Sequence, residues 1–300
     1  MDGFRKVKHI KIIILLNLAM RELVDELKNI ELAIFDLDGV IYRGDILISN
    51  SDKVIQELKD ISIKVVYNSN NSTVTRQMYV DRLKGFNINS EVSDFYTSAS
   101  ITSEEITNQK QNATIFVIGE IGLKEELKEK GHTIVNPTSN YKNVDFVIVG
   151  LDKEFNYKKL AFAQNCILQG KAQFYATNSD STLPAASGLL PGAGVMVNAV
   201  ETCTNKKPLK IFGKPNPYGI QMILNHTNVS PDKSVIFGDR LNTDILAGNR
   251  ARINTILVLT GVTTEREVKK NQEKAIRSQV IDKNLIPNLV IKSLLGIFKE

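Results

Sequence analysis

The chain has 300 residues, 42% hydrophobic and 24% charged, so it is long enough for two packed units and too apolar for disorder to be the default. Its formal charge is +5, but residues 1–19 supply four basic side chains (Arg5, Lys6, Lys8, Lys11) against Asp2, which leaves only about +2 for the rest. That excludes a nucleic-acid footprint, and with no Trp and no alternating basic and aromatic run there is no stacking platform for single strands either.

In chain order, residues 12–20 come first as a short apolar run preceded by basic residues. The run is broken by Asn17, lacks a small-x-small cleavage pattern and is too short to span a bilayer. Residues 1–19 therefore read as a dispensable leader, in the form of an extra helix, or as a mis-assigned start with Met20 the initiator. No membrane partner is expected. Leu23, Val24 and Leu27 make a small helical stripe, and short apolar runs then alternate with amphipathic stretches to the C-terminus. Strands are predicted at 32–35, 63–67, 115–117, 146–149, 173–175, 209–212, 234–237, 254–258 and 289–291. This alternation predicts an α/β fold, a Rossmann-like doubly wound parallel sheet with helices on both faces.

Residues 101–206 carry a strand and helix pattern of their own between two stretches of the first unit, so they read as an inserted α/β cap domain. Residues 20–100 and 207–300 form the core domain. The only cysteines, Cys166 and Cys203, have no partner at metal-ligand spacing, which fits a reducing cytoplasm.

Four polar loops follow predicted strands: DLDG, NSNNST, GKPNP and GDRLNTD. Ligands in open α/β sheets bind outside the carboxyl ends of the strands, so these loops are expected to share one crevice. Asp36 and Asp38 end the first strand two residues apart and point the same way. They suit a nucleophile that attacks phosphorus and an acid/base that protonates the leaving alkoxide, although two Asp residues in a strand-to-helix turn also serve as caps. A carboxylate beside a phosphate dianion needs its repulsion offset, and Mg²⁺ with all-oxygen ligands does that. Ser69, Asn70 and Asn71 offer a hydroxyl, amides and main-chain N–H groups for phosphoryl oxygens, or a polar turn alone. Lys214 can neutralise nucleophile and phosphate, or lie solvated on the surface. Asp239 follows an apolar strand directly, as a metal ligand would. Asp244 either holds metal-bound water, orients Lys214, or is a first-turn helix acid.

The ordered set DLDGV, SNN, GKP and GDRLNTD resembles the haloacid dehalogenase (HAD) phosphatase superfamily, in its branch with a large cap after the second motif. YRGD, YTSA, VIGEIGL, VIVGLD, ATNSD and GLLPGAG resemble its NagD-like and p-nitrophenyl phosphatase members, and the likeness covers about residues 30–265. The resemblance implies a Mg²⁺-dependent phosphatase of small phosphomonoesters with Asp36 as nucleophile and Asp38 as acid/base. It implies metal held by Asp36, the Asp38 main-chain carbonyl and Asp239, and phosphate held by Ser69, Asn70, Asn71 and Lys214. Asn178, Asp180 and Leu183 fall in ATNSDSTLP, where the cap is expected to face the crevice and select the leaving group. Leu183 stands where the pyridoxal-phosphate phosphatases have a substrate-contacting His, which argues against pyridoxal phosphate. A homodimer formed through the cap would resemble related enzymes. GLLPGAG is expected as a cap-domain turn, because it lacks the G-x-G-x-x-G order of a dinucleotide loop. A phosphotransferase or phosphomutase on the same scaffold, and a non-enzymatic protein that binds a phosphometabolite, are the competing readings. Phosphate release set against a phosphorylated acceptor separates the first of these.

Overall fold

The computed structural model describes residues 21–185, 188–276 and 283–299. The leader at 1–19 and Met20 lie outside them. The first strand, β1 (Leu32–Phe35), is buried at all four positions, as a continuous apolar run covered on both faces must be. A small hairpin, β2 (Tyr42–Arg43) and β3 (Ile46–Leu47), leads to α1 (Ser51–Asp60), which buries Val54, Ile55 and Leu58. Each of those side chains contributes roughly 1.5–3 kcal/mol on leaving water. Next come β4 (Lys64–Ser69), α2 (Arg76–Gly85), the short strand β5 (Phe95–Thr97) and α3 (Ser98–Gln109). Thr97 caps α3, its hydroxyl accepting from Ser100 N at 3.1 Å.

The middle of the chain builds β6 (Thr114–Ile118), α4 (Ile121–Glu129), β7 (Thr133–Val135), β8 (Phe146–Val149), α5 (Tyr157–Leu168) and β9 (Gln173–Ala176). An antiparallel pair, β10 (Thr182–Ala185) and β11 (Gly188–Pro191), precedes α6 (Ala193–Thr204). The return runs through α7 (Tyr218–Thr227), β12 (Ser234–Gly238), α8 (Leu246–Ala251), β13 (Asn254–Val258), α9 (Glu265–Ile276) and β14 (Leu289–Ile291).

Two parallel sheets result. One has six strands in the order β14-β13-β12-β1-β4-β5, the other four in the order β7-β6-β8-β9. The α/β class and doubly wound core follow the sequence reading. The second sheet and the β10–β11 pair fall inside the segment read as an insertion, while α3 runs across its expected start at 101. Ala99, Ile101 and Ile106 of α3 share an apolar cluster with Tyr96 of β5 in the larger sheet and with Ile115 and Ile148 of the smaller one, so this helix joins the two sheets.

Two expectations are corrected. Residues 209–212 are not a strand of the larger sheet: they lie along β9, where Leu209 N donates to Phe174 O at 2.7 Å and Ala176 N to Lys210 O at 3.1 Å. GLLPGAG is not a turn, because Gly188–Pro191 pair as β11 before α6 begins.

Candidate active site

In the larger sheet the chain moves outward from β1 through β4 to β5, then resumes on the opposite side of β1 with β12, β13 and β14. The order therefore reverses between β1 and β12, and the crevice outside the carboxyl ends at such a switch point is where ligands bind. Phe35 registers with Phe237 across this junction, their rings stacked at 4.5 Å. That register sets Asp36 beside Gly238, and Asp239, the next residue, brings its carboxylate within 4.8 Å of that of Asp36. Both line a cleft of about 370 Å³ with Asp38, Ser69, Asn70, Asn71, Asn178, Asp180, Leu183, Lys214 and Asp244. Every residue singled out from the sequence is thus brought to one cavity.

Its centre is an ion-pair bridge. Lys214, 4% exposed, lies 2.8 Å from Asp36 Oδ1 and 2.6 Å from Asp244 Oδ1, and donates to the Asn68 carbonyl at 2.8 Å. Burial alone would lower the lysine's affinity for its proton, but Asp244 and Asp36 outweigh it and hold the ammonium charged. Asp36 is pushed up to about 6, mainly by burial and further by Asp244, with Lys214 pulling the other way. Asp244 accepts from Arg240 N at 3.1 Å and Thr243 Oγ1 at 3.3 Å through its second oxygen, so both its oxygens are engaged. A π-helical turn at Leu241–Ile245 turns it inward.

Asp239 differs. One oxygen accepts from Val262 N at 2.7 Å, while Oδ1 is buried and unpartnered. A Cβ at Gly39, which has φ +84°, or at Gly261 would collide with this carboxylate, so both glycines are needed for its close approach. Carboxylate oxygens of Asp36, Asp239 and Asp244 all lie within 4.8 Å of one another. Burial, then Asp244 and Asp36, push Asp239 up to about 7. A buried carboxylate oxygen with no hydrogen-bond partner among crowded carboxylates suits a hard cation, and the all-oxygen donor set fits Mg²⁺.

Asp38 faces the cleft from its exposed side. Desolvation raises its carboxyl, opposed by Arg82, Arg240 and Arg43. The loop after β4 is tied down locally: Asn71 N donates to Ser69 Oγ at 3.2 Å, and Asn71 Oδ1 accepts from Thr73 N and Oγ1 at 2.8 and 2.7 Å. Asn70 Nδ2 donates to the Lys214 carbonyl at 2.9 Å and to Asp180 Oδ2 at 3.1 Å. Asn178 Nδ2 in turn donates to the Asn70 carbonyl at 2.8 Å, so ATNSD meets the loop directly. Burial raises the Asp180 carboxyl against the Asn70 bond.

Residues 33–133 match a haloacid dehalogenase-like hydrolase family and 211–285 a HAD-hydrolase-like family. The acid sugar phosphatase of Staphylococcus haemolyticus is 34% identical over 83% of this chain and 92% of its own length. The 5'-nucleotidase YutF of Bacillus subtilis is 33% identical over 80% and 91%. Among solved structures, the 4-nitrophenylphosphatase of Thermotoga maritima superposes with TM-score 0.79 at 33% identity, over 90% of this chain and 96% of that one. The chain belongs to the haloacid dehalogenase-like hydrolases. Within that family it falls in the NagD-like, p-nitrophenyl phosphatase branch and is a phosphoric monoester hydrolase, which displaces the non-enzymatic and phosphotransfer readings.

The HAD-like site also contains residues that sequence reasoning missed. Tyr42, Arg43, Tyr79, Arg82 and Arg240 line the cleft. Arg240 stands inside GDRLNTD and Arg43 inside YRGD, so the motifs carried a signal for both. Tyr79 had none, because only the packing of α2 on β4 and β5, with Tyr79 stacked on Phe95 at 5.6 Å, brings it there. Among the described residues no helix is long and apolar enough to cross a membrane.

Proposed function

We propose that this hydrolase cleaves small phosphomonoesters through a phospho-aspartate on Asp36, with Mg²⁺ as cofactor. The observation that carries this reading is the Lys214 bridge between Asp36 and Asp244 beside the unpartnered oxygen of Asp239. At neutral pH most of Asp36 is ionised, given its value of about 6. It attacks phosphorus, the bond to the ester oxygen breaks, and Asp38 protonates the departing alkoxide. Asp38, now a carboxylate, takes a proton from water, whose oxygen attacks the same phosphorus and releases inorganic phosphate, which restores Asp36. The raised Asp38 carboxyl supports its turn as acid.

Asp36, Asp239 and the Asp38 main-chain carbonyl would hold Mg²⁺, which supplies Lewis-acid polarisation and offsets the repulsion between carboxylate and phosphate dianion. Asp244, saturated by Lys214, Thr243 and Arg240 N, orients the lysine from behind. Ser69, Asn71 and Lys214 bind phosphoryl oxygens. Asn70, whose amide nitrogen is already bonded to Asp180 and Lys214, contributes through its main chain.

Residues 101–206 act as the cap, and Asn178, Asp180 and Leu183 bring its specificity segment to the cleft. Sugar phosphates and nucleoside monophosphates, taken from the names of the relatives, belong on the panel to be tried, beside glycerol phosphate, phosphoglycolate and p-nitrophenyl phosphate. Both cysteines are free, as in a reducing cytoplasm.

Rapid acid quench of the Mg²⁺-loaded enzyme with radiolabelled ester should trap label on the protein, and Asp36→Asn should trap none and turn over at least 1,000-fold slower. Undiminished turnover by Asp36→Asn, or full activity in excess chelator, overturns the reading.

A further inference from the structure

Four cationic side chains line the cleft, and three have partners on the protein. Lys214 bridges Asp36 and Asp244. Arg82 pairs with Asp45 at 2.8 Å, donates to the Gly44 carbonyl and covers the Tyr42 ring at 4.2 Å. Arg43 donates to the Thr260 carbonyl. Arg240 is the exception: it is half-buried, and among the described residues its guanidinium has no hydrogen-bond acceptor and no carboxylate within ion-pair distance.

Its backbone is fixed, since Arg240 N donates to Asp244 Oδ2. Arg240 lines both the main cleft and a smaller groove of about 260 Å³ between residues 179–182 and Pro215, Asn242 and Thr243. The two cavities share Asp180, Thr182, Arg240 and Thr243, so Arg240 stands where one meets the other. Its charge is felt by Asp38, Asp180 and Asp239, yet Asp180 is bonded to Asn70 and Asp239 to Val262 N. Five N–H donors partly withdrawn from water with no protein acceptor are unfavourable unless something else accepts from them. The fork of a guanidinium matches the paired oxygens of a carboxylate or phosphoryl group.

We propose that Arg240 forms a subsite for a second anionic group on the leaving-group side of the substrate, so that the enzyme favours phosphate esters whose alcohol carries a carboxylate or a second phosphate. This rests on the phosphatase reading of the same cleft. The reacting phosphoryl group already has Lys214 and the loop after β4. Arg240 lines the groove shared with residues 179–182, which places the alcohol of the substrate on that side in this proposal. Thr182 adds a hydroxyl donor at the same junction.

The test compares kcat/KM of the Mg²⁺-loaded wild type, Arg240→Gln and Arg240→Lys on four esters. p-Nitrophenyl phosphate and glycerol phosphate have no second anion, 2-phosphoglycolate adds a carboxylate, and 1,3-propanediol bisphosphate adds a phosphate. Loss of a charge-assisted bidentate contact predicts a fall on the order of 10- to 100-fold on the last two for Arg240→Gln, mostly in KM. The first two should change less than about 3-fold, and Arg240→Lys should lie between. The carboxylate and bisphosphate arms show which anion the subsite takes. A uniform loss on all four esters places Arg240 on the reacting phosphoryl group and overturns the subsite, as does no loss on any. Without a variant, phosphonoacetate should inhibit wild-type p-nitrophenyl phosphate hydrolysis at least 10-fold more tightly than methylphosphonate, and equal inhibition overturns the proposal. Failure of the wild type to release phosphate from any ester would instead sink the phosphatase reading beneath it.

Discussion

The six-stranded and four-stranded sheets are built alike, with parallel, fully buried strands such as Leu32–Phe35 and Phe146–Val149 covered by helices, yet they supply different things to the cleft. The larger sheet delivers four carboxylates, Asp36, Asp38, Asp239 and Asp244, from the loops beside its switch point. The smaller sheet delivers the Asn178 amide, one carboxylate already bonded to Asn70 (Asp180) and the apolar Leu183, and also the lysine that balances the other carboxylates. Residues 209–213 run along β9, where Gly213 N donates to Thr177 O at 2.6 Å, and Lys214 is the next residue. The charge network of the site is therefore closed only when both sheets are in place, and the two units share one electrostatic centre.

The largest expected effect comes from removing that shared charge. Lys214→Met leaves Asp36 and Asp244 buried without a counter-charge, which should lower stability by about 3–5 kcal/mol at pH 8. Urea denaturation in chelator would measure it. Adding Asp244→Asn should recover part of the loss, since the pair is coupled, while leaving the enzyme inactive. Additive losses in the double variant would show that the two sheets are not joined through this bridge.

Asp239 sharpens the comparison from the larger sheet alone. Its carboxyl is raised from 3.8 to about 7 in the folded protein without metal. Between those values the folded state holds a proton that the unfolded state has released, so this residue costs stability progressively as pH rises from about 4 to about 7, then no further. In chelator, Asp239→Asn should therefore equal wild type near pH 4 and exceed it by about 4 kcal/mol above pH 7. Mg²⁺ should reverse the order, because it binds the folded wild type and not the variant. A stability difference that is flat across pH in chelator would contradict the assignment of this oxygen to a cation.

Much of this was legible beforehand. Strands 32–35, 146–149 and 289–291 are continuous apolar runs, as is 256–258 within the strand at 254–258, and buried parallel strands write themselves that way. Asp36 and Asp239 were legible because each directly follows such a run. The partner of residues 209–212 was not, since an apolar segment does not record which sheet edge it meets. Thr97 and Ser100 cap α3 across the expected domain boundary, and local capping chemistry gives no sign that the helix will join two sheets. Tyr79 and the unpaired state of Arg240 depend on packing and on distances between loops far apart in sequence.

The smallest expected effect lies on the second unit's side, at Leu183. This half-buried side chain registers with Leu190 across the β10–β11 pair and lines the cleft with Leu151, Asn178 and Asp180. It offers apolar contact and no charge, so it should favour aromatic or carbon-rich leaving groups without touching the phosphoryl chemistry. A contact of this kind is worth about 1–2 kcal/mol, or roughly 5- to 30-fold in kcat/KM. Leu183→Ala should therefore lose that factor on p-nitrophenyl phosphate and little on glycerol phosphate. Leu183→His should reorder the ester panel, and neither variant should change the response to Mg²⁺. The Arg240 subsite and the Leu183 wall then act on separate parts of the alcohol, so their substitutions should combine additively on an ester that carries both an aryl ring and a carboxylate. If both Leu183 variants keep the wild-type ranking across the panel, the β10–β11 pair does not select substrate, and the second sheet serves the site only through Lys214 and the loop at Asn70.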